Sequence, residues 1–202
     1  MGLIQLLASA PQLFLLLAVP LLYSVIAHEV AHGLTARLFG DRTAEQAGRL
    51  TLNPFQHLDP IGTLMLFVVG FGWARPVPVH YANLRPVRLG VFCVALAGCA
   101  TNILIAAAAI AALRRGAVDV ESTSGVVLNI VARINIALAA LNLLPIPPLD
   151  GSKLLASVLP AGAQRALAVL ERYGFLILVL LLMSGWLDPM ITLMERLITR
   201  FL

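Results

Sequence analysis

No side chain from Met1 to Ala27 carries a charge, and the stretch that ends this run, SVIAHEVAHGL at residues 24–34, brings two histidines and a glutamate together. An apolar run of this length confines the chain to membrane-crossing or deeply buried helix, because about 20 apolar residues are needed to span the hydrocarbon. Segments 12–38, 88–113 and 125–147 reach that length, and 173–187 is a shorter fourth candidate. Composition agrees: 60% of residues are hydrophobic and 12% charged, against roughly 45–50% and 25% in soluble domains. The reading is an all-α polytopic membrane protein with about four transmembrane helices, in a single domain over 1–202. Its core covers about 12–155, with C-terminal helices over 160–202.

The intervening stretches add detail. Segment 61–74, IGTLMLFVVGFGWA, is too short to span as a helix and holds three glycines, which predicts a re-entrant loop. Residues 47–54 and 75–80 carry Gly and Pro breakers and read as short β-strands or extended segments at the membrane interface. Residues 189–202 read as an interfacial amphipathic helix with Glu195, Arg196 and Arg200 on its polar side.

The charge of +4 comes from 13 arginines and one lysine spread along the chain. Without a basic run or stripe, nucleic acid is excluded as a partner. Cys93 and Cys99, six residues apart in an apolar segment, indicate packing rather than a disulfide framework. The string ASA near the N-terminus precedes the main apolar run and no basic region accompanies it, so the first segment is expected to be a mature helix rather than a cleaved signal.

His28 and His32 are four apart, so on a helix they lie one turn apart on one face, where two imidazoles can bind one Zn²⁺. Glu29 beside them can act on a zinc-bound water. The pattern arises by chance in roughly 0.002 of chains of this composition. Ionisable groups within a span are costly and usually functional, which weakens the reading of two merely hydrogen-bonded histidines. A catalytic zinc takes three protein ligands. Candidates for the third are His57, His80 and the carboxylates Asp41, Glu45, Asp59, Asp119, Glu121, Asp150, Glu171, Asp188 and Glu195. Asp150 stands out because it opens DGSK after NLLPIPPL, where prolines break the helix and Gly151 permits a tight turn. A turn-capping aspartate is its alternative.

The chain resembles the site-2 proteases, intramembrane zinc metalloproteases, in their compact form without a PDZ or CBS domain. The motifs that carry the resemblance are HEVAH at 28–32, LNPFQHLDPIGT at 52–63, GWARPVPV at 72–79, AGCATN at 97–102 and NLLPIPPLDG at 142–151. The resemblance implies one Zn²⁺ per chain held by His28, His32 and Asp150, with Glu29 as general base. It implies Asn142, and with it Asn102, for substrate or oxyanion binding. Cys99 stands where relatives often have proline. His57 is an accessory candidate, read here as a loop anchor, and Arg133 is assigned no catalytic role.

The resemblance further implies cleavage of a peptide bond within or beside a transmembrane helix of a membrane-protein substrate, with single-pass proteins as the substrate class. The expected location is a multi-pass position in the lipid bilayer of a bacterial or archaeal cell membrane. The short loop 114–124 leaves no room for a PDZ insertion, so control is expected from the membrane region, a regulatory membrane partner or a homo-oligomer. Two rivals remain: a membrane-embedded metal-binding protein or transporter, and an inactive homologue acting as an adaptor. Glu29→Gln separates a protease from a transporter, since only the protease needs the base.

Orientation follows from charge. Arg37, Arg42 and Arg49 follow the first span and no basic side chain precedes it, so its C-terminal end is expected at the cytoplasm. If 61–74 dips in and returns, Asp150 arrives on the same side as the histidines. If it spans, Asp150 lands at the opposite face.

Overall fold

The computed structural model describes residues 3–69 and 74–202. Helix α1 (Leu3–Ser9) leads into α2 (Pro11–Leu38), 28 residues and roughly 42 Å long at 1.5 Å per residue. Pro11 opens α2, where its missing N–H costs nothing. Gly40 closes it with φ 101°. This left-handed residue lets Asp41 N–H reach back to the Ala36 carbonyl at 2.9 Å. A short helix α3 (Thr43–Gln46) follows, then α4 (Pro60–Val69), α5 (Val87–Arg114) and α6 (Thr123–Asn142). The C-terminal part comprises α7 (Asp150–Val158), α8 (Ala161–Glu171), α9 (Gly174–Met183) and α10 (Leu187–Thr199).

Among the described residues, α2, α5 and α6 are long and apolar enough to cross a bilayer, and α8 with α9, bent by 69° at their junction, gives a fourth crossing if counted as one broken span. The expected fourth segment, 173–187, is therefore only the ten residues of α9, too short alone. The span expected over 125–147 stops at Asn142, because Pro145, Pro147 and Pro148 withdraw N–H donors just beyond. Between α5 and α6 the packing is built largely from small side chains: Ala106 of α5 clusters with Ala139, Ala140 and Ile136 of α6, all buried. Small residues let backbones approach where hydrocarbon offers no hydrophobic drive between helices. The amphipathic helix foreseen near the C-terminus is α10, which buries Ile198 in the cluster formed by α5 and α6. Arg133 on α6 faces outward.

The strands expected at 47–54 and 75–80 do not form. Among the described residues the β-pairing is an isolated antiparallel bridge between Leu58 and Ala74. Pro76 and Pro78 cannot donate to a ladder, and the N–H between them, from Val77, goes to the Glu29 carboxylate at 2.8 Å. Arg49 donates its guanidinium to the Arg75 carbonyl at 2.6 Å. Side chains thus take the backbone groups that a partner strand would have used.

The bridge also bears on segment 61–74, part of which (70–73) lies outside the described residues. Leu58 and Ala74 meet, and Arg75 N–H donates to His57 O at 2.8 Å. Helix α4 is ten residues and roughly 15 Å long, and the chain is back beside its start at Ala74. Arg85 N–H donates to Phe39 O at 2.8 Å, so α5 starts where α2 ended and runs antiparallel to it. With α6 returning, α7 begins at the depth of the α2 histidines.

Candidate metal centre

His28 and His32 occupy successive turns of α2, and Asp150 is the first residue of α7. The fold brings their ligand atoms together. His28 Nε2 lies 2.9 Å and His32 Nε2 3.0 Å from the same Asp150 oxygen, Oδ2, and the two Nε2 atoms are 3.0 Å apart. The rings stand edge to face at 89°. All three residues are buried, at 6%, 8% and 7% exposure.

The outer nitrogens decide what this triangle can hold. His28 Nδ1 is 2.6 Å from Asn102 Oδ1, and His32 Nδ1 is 2.6 Å from the Val94 carbonyl. Both partners are acceptors, so each Nδ1 carries a ring proton, and a ring with no second proton turns its Nε2 lone pair inward. Two such lone pairs and a carboxylate oxygen facing one another at about 3 Å repel unless a proton or a metal cation sits among them. The donor set, two imidazoles and one carboxylate, is the kind that binds catalytic zinc. Gly98 of α5 provides the floor: a Cβ there would lie 2.5 Å from His28 Nε2 and 2.6 Å from His32 Nε2. The residues present therefore fit a bound Zn²⁺.

Behind His28 runs a buried polar relay through three helices. Asn102 donates to Asn135 Oδ1 at 2.7 Å and to the Ser24 carbonyl at 3.4 Å. Asn135 in turn donates to Ser24 Oγ at 2.8 Å and to the Val131 carbonyl at 2.8 Å. These donors fix the amide orientation that points Asn102 Oδ1 at His28. The expected oxyanion role of Asn102 does not match this placement, since its oxygen and both amide hydrogens are already engaged. A partner of this kind orients a ligand from behind.

Asp150 presents its second oxygen, Oδ1, to Lys153 Nζ at 3.5 Å. Gly151 serves close approach rather than a turn: a Cβ there would collide with the Leu143 and Leu144 carbonyls at the end of α6. Glu29, half-buried beside the histidines, accepts the Val77 N–H on Oε2.

The other candidates lie elsewhere. Asp41 is enclosed by donors from Thr43, His80 and Asn83, and Glu45 pairs with Arg37 at 3.2 Å. Asp59 accepts the Gly62 N–H at 2.7 Å. Asn142 donates to the Leu138 carbonyl of its own helix at 3.0 Å. His57 is fully buried and donates from Nε2 to the Thr51 carbonyl at 2.8 Å. Cys99 is buried in the core next to Gly98. Sequence reasoning missed Gly98, Ser24 and Asn135. Ser24 precedes His28 by four residues, and Asn135 is a polar residue mid-span, so helical spacing and intramembrane polarity were the available signals.

Comparison with known proteins points the same way. A model of Peptidase family M50 matches residues 116–184. A Bacillus subtilis protein, provisionally named zinc metalloprotease YwhC, is 37% identical over 175 residues, covering 83% of this chain and 80% of its own length. Two proteins provisionally named zinc metalloprotease Rip2 are also similar. The one from Mycolicibacterium smegmatis is 34% identical over 179 residues (85% of this chain, 68% of its own), and that of Mycobacterium tuberculosis H37Rv is 33% identical over 175 residues (82% and 67%). No solved structure gives a significant match. With such likeness running along most of its length, the chain belongs to peptidase family M50, the site-2 proteases.

Proposed function

We propose that this protein is an intramembrane zinc metalloprotease that hydrolyses peptide bonds within or beside transmembrane helices of membrane-protein substrates, in a bacterial cell membrane. The observation that carries the reading is the convergence of His28 Nε2, His32 Nε2 and Asp150 Oδ2 within about 3 Å, with Glu29 adjacent. Zinc bound there supplies Lewis acidity and brings the pKa of a coordinated water toward neutrality.

The chain's own residues do the rest. Glu29 takes the proton of the attacking water and returns it to the leaving amine. The Val77 N–H holds Oε2 in place, leaving Oε1 to exchange that proton. Asn102 keeps the His28 ring oriented with its lone pair inward. Asn142, half-buried at the end of α6, is the side chain assigned to substrate or oxyanion binding. A substrate helix hides its amides, so it must unwind locally. The carbonyls of the extended strap 76–79 are available to pair with the unwound segment.

The test is Glu29→Gln, co-expressed with a library of single-pass membrane proteins. The variant keeps the side chain's volume and loses its basicity. Cleavage should vanish while zinc stays bound. Cleavage at the wild-type rate in Glu29→Gln would overturn the mechanism, and metal transport unaffected by it would favour a transporter.

A further inference from the structure

A second feature lies outside the metal centre. Between the N-terminal turn of α5 and the helices α7 and α8 is a cavity of about 590 Å³. Arg88, Lys153 and Arg165 line it against a single carboxylate, Glu171. Lys153 is already paired with Asp150. Arg88 and Arg165 are exposed and have no ion pair or hydrogen bond among the described residues. Gln164 spends its amide on the Ala156 and Leu159 carbonyls and Ser157 its hydroxyl on the Leu154 carbonyl, and the Tyr81 hydroxyl lies beside Lys153, so the unpaired positive charges left for recognition are Arg88 and Arg165.

Most of the rest of the wall is apolar, with Val87, Val91, Ala156 and Ala168 among its members. On the same turns of α5, Leu89 and Phe92 are also exposed. Depth can be read along the same helix. His32 bonds to Val94, six residues beyond Arg88, so the cations lie roughly 9 Å closer to the end of the span. That is the end where Arg37, Arg42, Arg75 and Arg85 also cluster, the cytoplasmic face by the positive-inside rule. Cations at headgroup depth above an apolar wall fit an anion that carries hydrocarbon. An acidic peptide would fill the charges and leave the wall uncovered. Basic pockets between helices on this side of a membrane hold anionic lipid headgroups.

We propose that this cavity is a binding site for an anionic phospholipid, with the headgroup phosphate held by Arg88 and Arg165 and an acyl chain lying along α5. The site is independent of the protease reading, because lipid retention is measured without substrate or zinc. The full chain is reconstituted in vesicles of mixed phosphatidylglycerol and phosphatidylcholine, extracted in mild detergent, and its retained lipids counted by native mass spectrometry. Wild type should retain phosphatidylglycerol in preference. Arg88→Gln combined with Arg165→Gln should reduce the preference about tenfold or more, with unchanged helical content. Glycerol 3-phosphate and an acidic peptide, added as competitors, should fail to displace the lipid. Equal retention of both lipids, or a preference that survives in the double variant, overturns the proposal. Displacement by glycerol 3-phosphate or by the peptide also overturns it, and identifies a site for a soluble phosphate or an acidic segment instead.

Discussion

Gly98 on α5 stands so close to His28 on α2 that a methyl group built on it would lie 2.5 Å from the imidazole Nε2. No real Cβ tolerates that distance, and the imidazole it meets belongs to the candidate ligand group. Gly98→Ala is expected to keep the helical content and weaken zinc binding by about tenfold or more, within the range seen when a metal site's supporting contacts are altered. Zinc content measured against a graded series of chelator concentrations checks this. Wild-type retention in the variant would mean that the rings can shift without loss.

Asn102→Ala should cost more than packing. It strips the acceptor from His28 Nδ1 and leaves Asn135 Oδ1 without its donor, both in buried residues. Zinc affinity is expected to fall about 10–100-fold, with a stability loss of about 1–3 kcal/mol from unpaired buried groups. Asn102→Asp keeps an acceptor for His28 and should recover much of the affinity. If alanine and aspartate behaved alike in chelator competition, orientation of His28 would not be what Asn102 provides.

Asp41 gives a pH signature away from the metal. Burial works to raise its pKa, but hydrogen bonds from Thr43, Asn83 and the His80 N–H outweigh it and hold the carboxyl below its ordinary value. A depressed folded-state pKa contributes stability that is complete above the ordinary value, about 4, and is lost as the pH falls through the folded value. Thermal melts of wild type should therefore decline below about pH 4 more steeply than those of Asp41→Asn, which starts about 1–3 kcal/mol less stable at neutral pH. Parallel pH curves for the two proteins would contradict this.

Sidedness is testable by labelling. His80 and Asp119 are exposed and flank α5 on opposite ends. In a background lacking Cys93 and Cys99, His80→Cys should react with a membrane-impermeant reagent only from the cytoplasm, and Asp119→Cys only from outside. The reverse pattern would invert the orientation drawn from the arginines.

Much of this was readable from the letters because membrane spans announce themselves by length and apolarity, and because His28, Glu29 and His32 sit at fixed helical spacing. Asp150 could be singled out, since the prolines at 145, 147 and 148 mark where a helix must stop just before it. Other features were hidden for physical reasons. The extended segment 75–80 looked like a strand because its composition suits one, yet Pro76 and Pro78 donate nothing, and side chains 48 and 39 residues earlier took the Val77 and His80 N–H groups. The first of these contacts uses the backbone of Val77, so no residue type at position 77 could have signalled it. Gly98 was hidden because a glycine in an apolar helix reads as a packing residue until its neighbour across the interface is known. Asn102 was noticed, but its place depended on Asn135, which comes from a different span.

The relay from His28 through Asn102 to Asn135 and Ser24 ties α2, α5 and α6 at one level. Within hydrocarbon the apolar faces of these helices could slide past one another at little cost, since lipid and leucine are nearly equivalent neighbours. Three amide and hydroxyl groups act as the pin that stops the sliding. Assembly of the bundle and aim of the first histidine are consequently a single event, and a chain that has its helices in register already holds that imidazole facing inward before any ion arrives.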